Sequence, residues 1–366
     1  MSANTKLQQI DQALIDLLNQ RITLLAEADV LDRQWQLEAS QSQLAQMGVP
    51  EFLWESIITG CTAALAEMQP TSRQSAMRKI ILVGGRGMMG QFFNAHLTAA
   101  GHEVNILDRS DWPNADQIVA DADLVLLCVP LDKTISIIQK LAPYLSPQTI
   151  LADIASIKTP VVKAMLKAHP GPVLGLHPMF GPGVDSFLSQ KIVVCPGRGY
   201  DACRWLLDLM TQEGGDLITC KPEEHDQMMI TVQAIRHFST FSLGVFLAEE
   251  GIDVSRSLEF ASPIYRIGIN MISRLFAQNG ALYVDIMLAS SECREAIYRL
   301  SETYQRLATL VEKNDRAALV NEFSQARQSF EPGAPQALKE SNHLINSLSN
   351  FLAADSIEHC PHYACA

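Results

Sequence analysis

Long apolar runs are missing from this chain. Hydrophobic residues make up 48% of its 366 residues, yet the longest apolar stretches are strand-length and broken by polar or charged residues. No membrane-spanning helix is therefore expected. Cations are short as well: 28 Lys and Arg face 40 Asp and Glu, a net charge of −12. Broad nucleic-acid binding needs a basic surface to displace counterions and is excluded; a local basic pocket is not. No Cys-x-x-Cys occurs, and the eight cysteines stand scattered at 61, 128, 195, 203, 220, 293, 360 and 365. The start, MSANTKLQQIDQ, lacks the basic-then-apolar pattern of a signal peptide. Free thiols in a reducing cytoplasm are the expectation. No internal repeat or low-complexity tract is visible. The closing cluster His359, Cys360, His362 and Cys365 reads as a terminal tail, so no metal site is expected.

What is present changes texture twice. Over residues 1–70, Leu7, Ile10, Leu14, Leu17, Leu18, Leu25 and Ala28 recur at helical steps, an amphipathic stripe. A further helix starts after Gly48-Val49-Pro50, with Phe52, Ile57, Ile58 and Ala64 expected inward. Met68–Ser75 is a polar linker. From 78 to 220, short apolar runs (79–83, 103–108, 124–130, 149–153, 173–176) alternate with helical stretches. That alternation predicts an α/β fold with a doubly wound parallel sheet of Rossmann type. Residues 191–195 and 216–219 read as later strands. After Pro222 the strand pattern stops, and 221–352 reads as an all-helical domain, with 353–366 as tail.

Val83-Gly84-Gly85-Arg86-Gly87-Met88-Met89-Gly90 follows a strand and opens a helix, the context that makes Gly-x-Gly-x-x-Gly a dinucleotide fingerprint. Gly85 is expected to allow the tight turn and Gly87 the approach of a pyrophosphate. Gly90 would allow close helix–strand packing. Asp108 ends the second strand, where a carboxylate accepts from ribose hydroxyls and repels a 2′-phosphate. NAD is the expected cofactor, with Arg109 next door pulling the other way. Candidate cofactor contacts are Gly85, Arg86, Gly87, Met88, Met89, Gly90 and Asp108, then Val129 and Pro130 after the third strand.

A second motif, Leu174-Gly175-Leu176-His177-Pro178-Met179-Phe180-Gly181-Pro182, brings a histidine to the end of a buried strand. A neutral imidazole there suits proton removal coupled to hydride loss, worth roughly 10²–10⁴-fold. Ser156 ends the preceding strand and could also cap the helix that follows. Lys158 reads equally as an electrostatic ligand or a solvated lysine. Farther on, Gln233, His237, Thr240 and Gly244 form a polar or small stripe on an apolar helix, the kind that lines a cavity. Arg266, Asn270 and Arg274 form another, suited to carboxylates.

Together with Asp153-Ile154-Ala155-Ser156-Ile157-Lys158, Glu224-His225-Asp226-Gln227, Gln233–Phe238, Ser262–Arg266 and Arg274–Gln278, these motifs resemble the prephenate dehydrogenase family. The resemblance is to the bacterial form with an N-terminal chorismate mutase domain, and it runs in order from about 78 to about 330. It implies NAD-dependent oxidative decarboxylation of prephenate to 4-hydroxyphenylpyruvate, in tyrosine biosynthesis. His177 is implied as base and Ser156 as its partner at the substrate hydroxyl. Arg274, His237, Gln233 and Arg266 are implied as substrate contacts, and His169 as a cofactor contact. A homodimer follows from the resemblance, with tyrosine a candidate feedback inhibitor. Arogenate remains an alternative substrate. A β-hydroxyacid dehydrogenase would place a lysine on the long helix after the sheet, where His237 stands instead. A protein that only senses NAD would not need His177 and Arg274.

The N-terminal segment departs from the family. A mutase binds a dianion with several cations, but residues 1–68 hold only Lys6, Arg21 and Arg33 against nine acids, a net −6. Arg21 matches one mutase arginine. Asn4 and Asp32 stand where another arginine and a lysine belong. Losing several charge-assisted bonds of about 1.5–3 kcal/mol each predicts a degenerate mutase. A fully bifunctional enzyme is the alternative.

Overall fold

The computed structural model describes residues 2–27, 33–67 and 76–358. Asp32, the 68–75 linker and the Cys/His tail lie outside them. Three helices open the chain: α1 (Ala3–Ala26), α2 (Arg33–Met47) and α3 (Glu51–Glu67). The Ser2 hydroxyl caps α1 by accepting from the Thr5 N–H. The leucine stripe forms, but in a single chain it is open to solvent: Leu7, Ile10, Leu14 and Leu17 are 50–59% exposed. Phe52 also points outward, contrary to expectation, while Ile58 is buried.

Strands and helices then alternate: β1 (Lys79–Val83), α4 (Met88–Ala99), β2 (Glu103–Leu107), α5 (Ala115–Val119), β3 (Leu124–Leu127), α6 (Leu131–Leu141), β4 (Ile150–Asp153), α7 (Thr159–Ala168), β5 (Val173–Pro178), β6 (Lys191–Arg198), α8 (Arg204–Gln212) and β7 (Asp216–Thr219). The sheet order is β2-β1-β3-β4-β5-β6-β7. The first five strands are parallel, as expected. β6 pairs antiparallel with β5, and β7 follows β6 in parallel. The reversal has a simple cause. No helix lies between β5 and β6, and a parallel return needs a crossover, whereas α8 supplies one between β6 and β7.

Alternate residues feed two apolar layers. Ile81, Val83, Val125, Leu127 and Leu151 pack with Ile138 of α6 and Val162 of α7. Ile80, Leu82, Leu124, Leu126 and Leu174 pack with Phe93 of α4 and Leu206 of α8. Each fully buried aliphatic side chain contributes about 1.5–3 kcal/mol. Strands buried on both faces explain the continuous apolar runs in the sequence.

The chain divides into two compact units at His225/Asp226. The division falls inside α9 (Pro222–Met229), which continues through a π turn, Ile230–Ile235, into α10 (Arg236–Glu249). The remaining helices are α11 (Val254–Glu259), α12 (Pro263–Phe276), α13 (Gly280–Met287), α14 (Ser291–Glu312), α15 (Arg316–Phe330) and α16 (Ala334–Glu358). α13 and α14 are separate helices because Ser290 starts α14 afresh by accepting from the Cys293 N–H. The last helix runs to Glu358, into the segment read as tail. Among the described residues no helix is long and apolar enough to cross a membrane.

Gly90 is where sequence and packing meet most tightly. A Cβ there would stand 2.6 Å from Gly85 Cα and 2.7 Å from the Gly84 carbonyl oxygen, both backbone. Gly90→Ala is expected to lower unfolding stability by about 1–3 kcal/mol through forced backbone displacement. An unchanged midpoint in urea denaturation would contradict this.

Candidate active site

The strand order reverses between β1 and β3, so a crevice opens at their carboxyl ends. Two loops meet there. The positive φ of the glycine turn falls on Gly84 (+80°), and a Cβ at that residue would strike the Cys128 carbonyl oxygen at 2.6 Å and Val129 at 2.9 Å. The tight turn assigned to Gly85 therefore belongs to Gly84. Gly85 is instead held bare by Ile106 and Leu82, at 2.8 and 3.0 Å from its would-be Cβ. Gly87 caps α4 with no side-chain hydrogen bond, so no side chain competes for the first-turn N–H groups beside Met88 and Met89. Those groups suit a pyrophosphate. Val129 and Pro130 follow β3 and lead into α6 from the same crevice.

Asp108 sits one residue beyond β2, at that edge. Its backbone N–H donates to Asp111 Oδ2 at 2.8 Å, and its Oδ1 accepts from the Arg109 N–H at 2.8 Å. Arg86 reaches over from the glycine turn to Ser110 and Asp111. These residues fit the ribose end of a dinucleotide.

His177 ends β5 on the same sheet edge as the fingerprint, buried at 3% exposure. Its Nδ1 lies 2.8 Å from Nε2 of His225, which is equally buried on α9. His225 stood in a recognised motif without a role; nothing in its local sequence distinguishes it from a capping or packing histidine. Beneath the pair, Lys158 is completely buried. Its ammonium donates to Asp153 Oδ2 at 2.5 Å and to the Leu176 carbonyl at 2.7 Å. Burial pushes the Asp153 carboxyl above its usual range, against the pull of Lys158, the Ala155 N–H and His225.

Three expectations change here. Lys158 is neither a solvated lysine nor an open electrostatic ligand, because its charge is spent on Asp153 and the β5 backbone. Ser156 lies in the loop after β4 but does not cap α7, whose N-cap position is Lys158, with no side-chain capping hydrogen bond. His169 ends α7 beside the amino ends of the strands, opposite the fingerprint. Its Nε2 is bonded to the Thr149 carbonyl oxygen at 2.7 Å, and its own carbonyl accepts from Arg198. A structural pin at that edge cannot touch a nucleotide in the crevice.

In the second unit, Gln233 lies in the π turn, a feature frequent at functional sites. His237 follows on α10, its ring edge-on to Tyr283 with centroids 4.8 Å apart. Tyr283, which the sequence did not single out, donates to Gln278 Oε1 at 2.7 Å. Burial pushes its hydroxyl up, and the nearby charges of Arg274 and Arg236 oppose that. Arg274 and Arg236 thus both lie within electrostatic reach of Tyr283. Arg266, two helical turns or about 12 Å away, donates to the Leu258 carbonyl and closes the end of α11. It is anchored away from the expected substrate cluster. At Gly244 a Cβ would overlap Phe276 and Ile272, so this glycine permits the close crossing of α10 and α12. A cleft of about 670 Å³ does include Thr240, with Ser239, Leu243, Tyr265, Ile269 and Tyr304, but none of Gln233, His237 or Arg274.

A glycine-cradled crevice and a buried histidine pair on one sheet edge define a nucleotide-dependent dehydrogenase. Family models described as the nucleotide-binding domain and the dimerization domain of prephenate dehydrogenase match residues 71–219 and 221–325. The T-protein of Enterobacter agglomerans is 36% identical over 364 residues, covering 94% of this chain and 96% of the relative. The T-protein of Haemophilus influenzae is 34% identical, covering 95% and 96%. The chain belongs to the prephenate dehydrogenase family and is an oxidoreductase of that kind. Its fold is shared with the prephenate dehydrogenase of Aquifex aeolicus solved with hydroxyphenyl propionate and NAD+ (TM-score 0.58, 18% identity, 71% of this chain and 99% of that one).

His237 carries a pH signature. Burial, and then the charge of Arg236, lower its pKa from 6.5 to about 4. The imidazole is therefore expected to stay neutral at pH 7. Because the unfolded chain takes the proton more readily, His237 lowers stability as pH falls from 6.5 toward 4. An NMR titration of its ring protons should show a midpoint near 4, rising in Arg236→Gln as a like charge is removed. A midpoint at or above 6 in the native protein would refute this.

Proposed function

We propose that this chain converts prephenate to 4-hydroxyphenylpyruvate with NAD, and that His177 is the base. The observation that carries the reading is the buried His177–His225 hydrogen bond at the carboxyl edge of the sheet that holds the glycine cradle. To accept a proton at Nε2, His177 must keep its own proton on Nδ1 and donate it to His225 Nε2. The 2.8 Å contact suits that tautomer and makes His225 a positioning residue. Ser156, after β4, is assigned to the substrate hydroxyl. Bound NAD, held by the Gly84–Gly90 turn and Asp108, would supply the hydride acceptor for the hydroxyl-bearing ring carbon. His177 takes the hydroxyl proton, the ring carboxylate leaves as carbon dioxide as the ring becomes aromatic, and the proton returns from His177 to the phenolate oxygen.

Prephenate carries two carboxylates, and Arg274 is assigned to one of them, with His237 and Gln233 as neutral hydrogen-bonding partners. Asp108 is assigned to the ribose, which favours NAD. We place the mutase-like segment at 1–70, the nucleotide domain at 78–220 and the substrate and dimer domain at 221–352. Exposed Phe260, Ile264, Phe323 and Phe330, each above 70%, support a homodimer through the last of these. Tyrosine is proposed as feedback inhibitor with no residue assigned, and the cytoplasm as the location.

The N-terminal helices are proposed to be a degenerate mutase. Arg21, the one matching cation, is already engaged: it donates to Gln36 Oε1 at 2.5 Å and lies over the Trp54 ring. Beside a net −6, little remains to hold a dianion.

NADH production from purified prephenate, with arogenate and NADP run alongside, tests the dehydrogenase reading. His177→Asn is expected to lower kcat by about 10²-fold or more while prephenate binding changes little. An unchanged kcat with a raised KM would remove His177 from the base role. The same preparation is expected to convert chorismate at a small fraction of the dehydrogenase rate. Comparable rates would mean that cations from outside residues 1–68 complete a working mutase.

A further inference from the structure

Resting on the cofactor reading above, we infer that Asp111 is a specificity-determining residue: it latches Arg86 away from the ribose 2′ position and so helps keep a 2′-phosphorylated cofactor out. The chain does not lack equipment for such a phosphate. Arg86 in the glycine turn and Arg109 and Ser110 after β2 are two guanidiniums and a hydroxyl flanking the ribose acid, Asp108. This is the chemistry that accommodates a 2′-phosphate in dinucleotide folds.

Asp111 ties most of it up. Its Oδ2 accepts from the Asp108 N–H at 2.8 Å and lies 3.4 Å from the Arg86 guanidinium. Its Oδ1 accepts from the Ser110 hydroxyl at 3.0 Å. Arg86 also donates to the same hydroxyl at 3.2 Å, so guanidinium, hydroxyl and carboxylate close a triangle. The Asp108 N–H, the Ser110 hydroxyl and the Arg86 charge hold the Asp111 carboxyl below its usual range, so it remains ionised at working pH. One bond to the Asp108 backbone also fixes the turn that presents the ribose acid. Asp108 therefore repels a 2′-phosphate directly, and Asp111 removes the cation that would offset the repulsion. The two acids leave the two arginines with no net charge to offer.

Asp111→Asn is nearly isosteric, keeps an acceptor for the Asp108 N–H and removes the charge that holds Arg86. Full-length protein is titrated calorimetrically with NAD+ and with NADP+, without substrate, so that binding rather than turnover is read. The ratio of NADP+ to NAD+ affinity is expected to rise about 10-fold, roughly one charge-assisted contact, and the gain to shrink as salt is raised. Arg86→Gln added to Asp111→Asn should cancel it. Asp111→Ser serves as a second variant if the amide disturbs folding, judged by circular dichroism. A ratio that stays within twofold in the folded variant, or a gain that survives loss of Arg86, overturns the latch and leaves the cofactor reading standing. A native protein that binds neither nucleotide overturns both.

Discussion

A fully buried ammonium constrains this site. Lys158 reaches no water, and its charge is met by Asp153 at the end of β4 and by the Leu176 carbonyl one residue before His177. Desolvating such a group costs several kcal/mol, and removing either partner strands a charge at about 3–5 kcal/mol. The two acceptors must therefore hold their places, and in doing so they lock the ends of two adjacent strands together. Gly175 closes the arrangement. A side chain there would meet Val162 at 2.8 Å and the Lys158 stem at 3.2 Å. His177 thus stands on a length of backbone that cannot slide, which the hydrogen bond to His225 requires.

The cofactor crevice is built on the opposite principle, by leaving side chains out. Gly84 lets the first turn touch the loop after β3, and Gly90 lets α4 seat on the turn. Around this bare backbone the charges come in opposed pairs, with Asp108 and Asp111 set against Arg86 and Arg109. Rigid apolar strands supply the position, and short polar loops supply the recognition. The same division of labour appears in the second unit, where the π turn buries Ile230 and Ala234 against α14 while Gln233 and His237 lie on the continuous helical run beside them.

Much of this was legible in the residue pattern because it rests on local physics. Apolar runs buried on both faces announced the parallel strands, and the fingerprint announced the bare glycine turn and the helix N-terminus that follows it. His177 was legible as well, because a histidine between a buried strand and a Pro/Gly turn has few structural reasons to be there. The reversal at β6 was not legible, because strand direction depends on what lies between strands rather than within them. Arg266 and Arg274 share one helical stripe, and only the position of α11 shows that the first closes a neighbouring helix.

The sequence by itself determined the order of elements, the glycine-lined crevice and the strand-end histidine, because periodicity and glycine spacing act over a few residues. Tertiary structure alone decided which polar groups meet. It paired His177 with His225, buried Lys158 on Asp153, sent His169 to the far edge of the sheet and engaged Arg86 with Asp111. The reason is physical. A side chain's charge and hydrogen bonds are settled by neighbours that packing brings together, and none of these pairings except Lys158 with Asp153 spans fewer than twenty residues of chain.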